Sequence, residues 1–307
     1  MAETTGISWC GRTWSPWIGC TKVSPACDGC YAAHLMDTRL GRVEWGPHGE
    51  RKRTSEAYWR QLAKWDREAK AAGRVISVFP SLCDPWDNAA DPGIRREWFA
   101  VMRETPHLLH LLLSKRPQNA VAMAEAVGGL PENAALGATV EDQPRADINV
   151  PHLLLAKKQL GARIAFLSCE PLLGPIDLTR ISTMRFRGAE VLNGLTGERR
   201  GMFGDPCGAR LPGLDWVITG GETDQGGHKA RPTNPQWFRD IRDACEEAEI
   251  SYHHKQNGEW VSVSEVDGPG RIHEFEDGRN VRRVGKRNSG RLLDGVEHNG
   301  MPEVRHG

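Results

Sequence analysis

The sequence predicts an α/β fold built on a parallel (β/α) barrel, complete or partial, with an N-terminal cysteine loop and a small C-terminal appendage. Three observations carry this. Short apolar runs of strand length recur through the middle of the chain, capped helical patterns lie between them, and polar residues follow almost every run. Runs this short suit strands buried on both faces. Their spacing, about 30 residues, is that of the βαβ unit. An open doubly wound sheet is the alternative architecture.

A first strand is expected near 7–9 and a second at 75–79. Between them Tyr58, Leu62, Trp65 and Ala69 fall on one helical face, and Gly73 can end that helix. Asp91-Pro92 supplies an N-cap and a first-turn proline to a helix carrying Ile94, Trp98, Val101 and Met102. Strands follow at 108–113, 135–140 and 164–167. The interval 174–213, rich in Gly, Arg and Pro, reads as an insertion before the strand at 216–219. Asn234-Pro235 repeats the capping device ahead of Phe238, Ile241, Cys245 and Ala248, and a weaker apolar run sits at 250–253. The pattern then breaks into Gly- and Arg-rich turns, so the barrel is assigned to 1–260 and the appendage to 261–307.

With 307 residues the chain can bury a substantial core. Lys+Arg and Asp+Glu are both 40, so no global basic field advertises a nucleic-acid partner. Local basic patches remain at Arg51-Lys52-Arg53 and over Arg282, Arg283, Lys286, Arg287 and Arg291. The chain starts without an apolar leader, and no apolar stretch reaches membrane length, so no membrane partner is expected. Eight cysteines without a secretion signal point to a reducing, cytoplasmic setting. Of eleven tryptophans, Trp14 and Trp17 flank the first cysteine run and are candidates to shield it.

That run, G-C-T-K-V-S-P-A-C-D-G-C-Y, places Cys20, Cys27 and Cys30 in a C-x6-C-x2-C pattern. Clustered thiolates are soft ligands that select zinc, copper(I) or an iron–sulfur cluster. Three thiolates leave one metal position open, whereas a structural zinc site is closed by four ligands. Cys10 or His34 as a fourth ligand would make the site a zinc knuckle. Spacing leaves zinc and a [4Fe–4S] cluster both open.

In parallel α/β folds chemistry gathers at the C-terminal strand ends. Successive runs here end at Ser81 and Cys83-Asp84, at Ser114-Lys115-Arg116, at Glu141-Asp142-Gln143, at Ser168-Cys169-Glu170, at Gly220-Gly221-Glu222 and at His253-His254-Lys255-Gln256. Carboxylates, hydroxyls and cations would therefore converge with the cysteine loop on one mouth. Such a lining can hold the ammonium, carboxylate and ribose of a cofactor like S-adenosylmethionine.

The segment 14–31, L-L-S-K-R-P at 112–117, F-L-S-C-E-P-L-L-G at 166–174, D-W-V-I-T-G-G-E at 215–222, A-R-P at 230–232, K-Q-N-G-E-W at 255–260 and V-G-K-R-N-S-G-R-L-L-D-G at 284–295 resemble the phage three-cysteine-motif proteins. That family is labelled after phage gene products thirty-seven and sixty-eight, and its members look like distant relatives of the radical S-adenosylmethionine enzymes. The resemblance implies a cytoplasmic barrel enzyme whose Cys20, Cys27 and Cys30 bind a [4Fe–4S] cluster, with S-adenosylmethionine on the open iron and an electron donor such as flavodoxin. Two departures stand out: the loop is not the usual C-x3-C-x2-C, and Gly29 holds a normally aromatic position, with Tyr31 as a substitute.

By position, Ser81 and Asp84 are then assigned to the methionine ammonium, Glu141 to the ribose and Lys115 or Arg231 to the carboxylate, with Ser168 also lining the cofactor. Glu170, Glu222 and Lys255 face the substrate, for which a nucleic-acid base or nucleotide, in DNA modification or repair, is the leading expectation. Two rivals stay open. One is a zinc- or cluster-stabilised nucleotide or nucleic-acid binding protein without radical chemistry. The other is a barrel hydrolase using Glu170 and Glu222 as acid and base.

Overall fold

Seven strands form the central sheet: β1 (Arg12–Thr13), β2 (Ile76–Phe79), β3 (Leu108–Ser114), β4 (Ala134–Thr139), β5 (Ala165–Cys169), β6 (Trp216–Gly220) and β7 (Ser251–Gln256). Every neighbouring pair is parallel and the spatial order follows the chain order. A doubly wound sheet would reverse direction at a switch point. This one does not; it curls into a partial parallel barrel. The computed structural model describes residues 5–183, 190–201 and 203–303.

Helices α1 (Glu56–Ala71), α2 (Pro92–Glu104), α3 (Ala120–Glu125), α4 (Gln143–Leu160) and α5 (Pro235–Glu247) cover the convex face. Asp91 and Asn234 cap α2 and α5 as expected, accepting from the backbone N–H of Gly93 at 2.7 Å and of Gln236 at 2.9 Å. On α1 the buried stripe is Trp59, Leu62, Trp65 and Ala69, with Tyr58 at its edge. Alternation along β3 sends Leu108, His110 and Leu112 to the helices and Leu109, Leu111 and Leu113 to the concave face.

The expected strand at 7–9 is not one. Residues 7–10 instead lie against the concave face, where Trp9 sits 4.7 Å from the Phe79 ring and 6.2 Å from Trp216. An unclosed sheet leaves that apolar face bare, and one indole covers more of it than a short edge strand would. The first strand is the dipeptide Arg12–Thr13, paired to Val78 and Phe79.

The interval 174–213 carries a three-stranded antiparallel sheet of Ile181–Ser182, Glu190–Leu192 and Arg199–Gly201; its residues 184–189 and 202 lie outside the described residues. The C-terminal appendage forms a second such sheet from Trp260–Ser262, Ile272–Glu274 and Asn280–Arg283; its residues 304–307, like 1–4 of the barrel segment, are outside them too. The tail then returns to the barrel: His254 N–H donates to the His298 carbonyl at 3.0 Å and Gly300 N–H to the Tyr252 carbonyl at 2.8 Å. These bonds occupy the open edge of β7, which would otherwise present unpaired backbone groups. No helix among the described residues is long and apolar enough to cross a membrane.

Two outcomes test this packing. A Cβ on Gly137, in β4, would fall 2.3 Å from Phe166 Cζ. Gly137→Ala should therefore cost about 1–3 kcal/mol in urea unfolding. His110 is buried against Trp98, both ring nitrogens lack a partner among the described residues, and burial pushes its pKa down to about 3. The unfolded chain alone takes up a proton below about pH 6.5, so stability is full above that pH and falls between it and about 3. His110→Leu should recover about 2 kcal/mol of the loss between pH 7 and pH 5.

Candidate active site

A cavity of about 860 Å³ opens at the C-terminal strand ends. Its lining includes Cys20, Cys27 and Cys30 together with Ser81, Asp84, Lys115, Ser168, Glu170, Glu222 and Lys255. The volume lies in the usual ligand-pocket range of about 300–1,000 Å³. Ten of the twelve residues anticipated from sequence thus share one space. Glu141 and Arg231 are outside the lining, and they act on the cysteine loop from behind.

The loop runs from Trp17–Ile18, paired with Lys52–Arg53, through a short 3-10 turn at Pro25–Cys27. It has little regular structure, so its backbone groups need partners from elsewhere. Glu141, 1% exposed at the end of β4, accepts from the Ala26 N–H at 3.3 Å, while its Oε2 has no partner among the described residues. Arg231 donates to the Pro25 carbonyl at 3.0 Å and lies 3.4 Å from Asp28.

Arg231 is itself held by Glu222, through Nε at 2.8 Å, Nη2 at 2.5 Å and its backbone N–H at 2.8 Å. Burial raises the Glu222 pKa, but the Arg231 hydrogen bonds and charge outweigh it, and the carboxyl ends below its ordinary value. A carboxylate so held is a poor general acid. Glu222 therefore braces the cysteine loop through Arg231 while it also lines the cavity. Arg231 likewise spends its guanidinium on loop and carboxylate rather than on a cofactor.

Asp84 is also committed. It accepts from Trp86 N–H at 2.9 Å, Ser114 Oγ at 2.5 Å, Lys115 N–H at 3.1 Å and Arg116 Nη1 at 2.8 Å. Each Asp84 oxygen thus already accepts two hydrogen bonds, which leaves neither free for the methionine ammonium expected there. Arg116 also lies 3.6 Å from Cys20 Sγ and donates to the Thr21 carbonyl at 2.8 Å. Burial pushes the Cys20 thiol up to about 12, the Asp84 charge adding to this and Arg116 opposing it. Arg116, passed over in the sequence in favour of its neighbour Lys115, is the cation that reaches the cysteine loop.

The Lys115 side chain lines the cavity, and its ammonium has no hydrogen-bond or ion-pair partner among the described residues. Burial lowers its pKa, but the nearby Cys27, Cys30, Glu141 and Asp84 more than compensate and leave it raised. Glu170 receives Lys255 Nζ at 2.6 Å and Gln256 Nε2 at 3.1 Å, so two anticipated substrate residues form one pair on the cavity wall. Ser168 also faces the cavity.

Trp14 and Trp17 do not shield the cysteines. Both are fully buried in the outer core, Trp14 packing edge-on against Trp59 at 5.1 Å and Trp17 against Trp98 at 6.0 Å. Cys10 and His34 are absent from the cavity lining; Cys10 belongs to the concave core and His34 packs on Gly226. The thiols at the cavity are thus the three of this loop and Cys83 after β2, and the three clustered in one loop are chemistry suited to a soft-metal centre. No three His, Cys, Asp or Glu side chains among the described residues are grouped to hold a single metal ion.

Gly29 has a physical explanation. A Cβ there would fall 2.8 Å from His228 Cδ2 and 3.2 Å from Glu222 Oε1. No aromatic residue fits, because the brace occupies its place. Tyr31, at the cavity lining, hydrogen-bonds the Ser81 carbonyl at 3.0 Å through its hydroxyl.

Fold and site together define an α/β half-barrel protein with a cysteine-lined cavity at its strand ends. The chain belongs to the family described as "Protein of unknown function (DUF5131)", whose family model matches residues 4–302. No curated protein and no solved structure matches it.

The brace yields a test. Gly29→Ala should displace the loop and reduce metal uptake by the three cysteines several-fold. Gly29→Ala combined with His228→Ala should restore it, because the clashing imidazole is gone. Equal uptake by the parent and the Gly29→Ala variant would show that the brace does not set the loop.

Proposed function

We propose that this protein is an iron–sulfur enzyme of the radical S-adenosylmethionine type, acting on a nucleic-acid base or nucleotide. The observation that carries the reading is the set of three thiols from one loop facing a cavity that also holds an unpaired cation, Lys115. Cys20, Cys27 and Cys30 would hold a [4Fe–4S] cluster with one iron free of protein ligands. When bound, the cluster supplies one-electron reduction of S-adenosylmethionine to methionine and a 5′-deoxyadenosyl radical, which abstracts hydrogen from the substrate.

The chain's own residues supply placement and charge. Lys115 offers an ammonium to a carboxylate, and the hydroxyls of Ser81 and Ser168 offer hydrogen bonds to the cofactor's polar groups. Lys255, paired with Glu170, presents a cation at the strand end next to the cysteine loop's brace and can orient a substrate anion. Arg116, donating toward Cys20 Sγ, stabilises negative charge on that sulfur. Glu222 and Arg231 keep the loop in register with the strand ends. An electron donor such as flavodoxin completes the scheme.

Anaerobic reconstitution is the test. The protein should take up iron and sulfide in equal amounts and turn brown, and Cys27→Ala should abolish this. Cys169→Ala and Cys245→Ala, buried in the outer core, should not. With dithionite and S-adenosylmethionine the reduced protein should release 5′-deoxyadenosine. Stoichiometric zinc with no iron uptake would overturn the cluster. A loaded cluster that yields no 5′-deoxyadenosine would overturn the radical chemistry.

A further inference from the structure

We infer that the cavity mouth binds single-stranded nucleic acid, with Lys22, Arg42 and Lys286 on its phosphates and Tyr31 and Trp45 against its bases. This rests on the reading of the cavity as an enzyme site and names the form in which the substrate arrives.

The charge distribution carries the argument. In a chain with equal numbers of acidic and basic residues, the cavity is lined by six Lys or Arg side chains and three carboxylates. All three carboxylates are already engaged: Asp84 by Arg116, Glu170 by Lys255, and Glu222 by Arg231 from behind the loop. The remaining cations are Lys115 inside and Lys22, Arg42 and Lys286 around the opening. None of these four side-chain cations has a hydrogen-bond or ion-pair partner among the described residues. Uncompensated positive charge in a concave site attracts an anion, and more than one phosphate is needed to use three cations beyond Lys115.

Their chain positions matter as well. Lys22 lies within the cysteine loop, Arg42 follows the helical segment 31–39, and Lys286 starts a short turn after the appendage sheet. Three remote segments therefore bring one exposed cation each to a single opening. The basic run 282–291, by contrast, is mostly spent internally. Arg283 pairs with Asp224 at 2.6 Å, Arg282 donates to the Val266 carbonyl at 2.8 Å, and Arg291 lies 3.5 Å from Glu297. Only Lys286 of that run reaches the cavity lining.

Two aromatic rings accompany the cations. Tyr31 is 40% exposed although its hydroxyl is tethered to Ser81, so the ring is fixed and open to the opening. Trp45 is half-buried against the Met36 and Val43 cluster, with its backbone N–H held by Asp37 at 2.8 Å. Fixed, partly exposed rings among unpaired cations are the elements of a sequence-tolerant single-strand site. A duplex is disfavoured because its bases stay stacked and cannot reach groups recessed in the cavity.

The test uses the full chain, both as purified and after anaerobic cluster reconstitution, and a fluorescent oligothymidylate of about twelve nucleotides. Affinity should fall with salt along a log–log slope of about −2, three phosphate contacts on a single strand. The combined Lys22→Ala, Arg42→Ala and Lys286→Ala variant should bring that slope close to zero. Trp45→Ala should weaken binding roughly tenfold at unchanged slope, with Trp45→Phe restoring most of it. Lys70→Ala, an exposed cation on α1, should change nothing. Absence of binding at low salt, the parent slope in the triple variant, or equal competition by duplex or by thymidine monophosphate would each overturn the inference. Iron and sulfide measured on the same samples separate the two readings. Loaded protein that binds no strand removes this inference alone, whereas strand binding by protein that takes up no iron removes the cluster alone.

Discussion

A parallel sheet of seven strands in chain order curls without closing, and it leaves a bare concave face and an open edge that must both be covered. That constraint shapes the rest of the molecule. The concave face is filled by Trp9 from the residues preceding β1, and the edge of β7 is taken by the returning tail at 298–300. The C-terminal appendage is thus part of the barrel's completion. With face and edge covered, what stays open is the C-terminal end of the strands, and the cavity forms there.

The cysteine loop depends on the same sheet. Nearly without regular structure, it draws partners from residues at the ends of separate strands: Glu141 after β4 for Ala26, Arg231 held by Glu222 after β6 for Pro25, and Arg116 after β3 for Thr21 and Cys20. Buried charges persist only when paired or hydrogen-bonded, and these meet that condition by bonding the loop. The positions of the three thiols therefore follow strand register, so a site made of one sequence segment is set by three others.

The cavity divides into two zones of different chemistry. Inside are the thiols, the hydroxyls of Ser81 and Ser168, and the unpaired ammonium of Lys115, all groups that suit a small polar cofactor. At the rim are exposed cations and aromatic rings, groups that suit a flexible polyanion. The three carboxylates of the lining are each engaged by an arginine or a lysine, so its electrostatic character comes from the cations left over and not from the composition of the chain.

The sequence by itself determined the parallel α/β class, five of the seven sheet strands closely, the caps of α2 and α5, and the convergence of the strand-end residues with the three cysteines. These follow from local periodicity, turn chemistry and the polarity of parallel strands, all written within short windows. It placed a strand at 7–9 where a tryptophan plug lies, because Ile7-Ser8-Trp9 alternates apolar and polar residues as a half-buried strand does. It also placed Glu141 and Arg231 on the cavity, whose lining they do not join, and left unread that Glu222 and Asp84, which do line it, are engaged by arginines. Which carboxylate stays open and which is consumed by an arginine depends on side chains brought together from remote segments, such as Arg231 reaching Pro25 in the cysteine loop. Only the tertiary structure fixes those partners, since pairing of buried charge is decided by distance in space and not by separation along the chain.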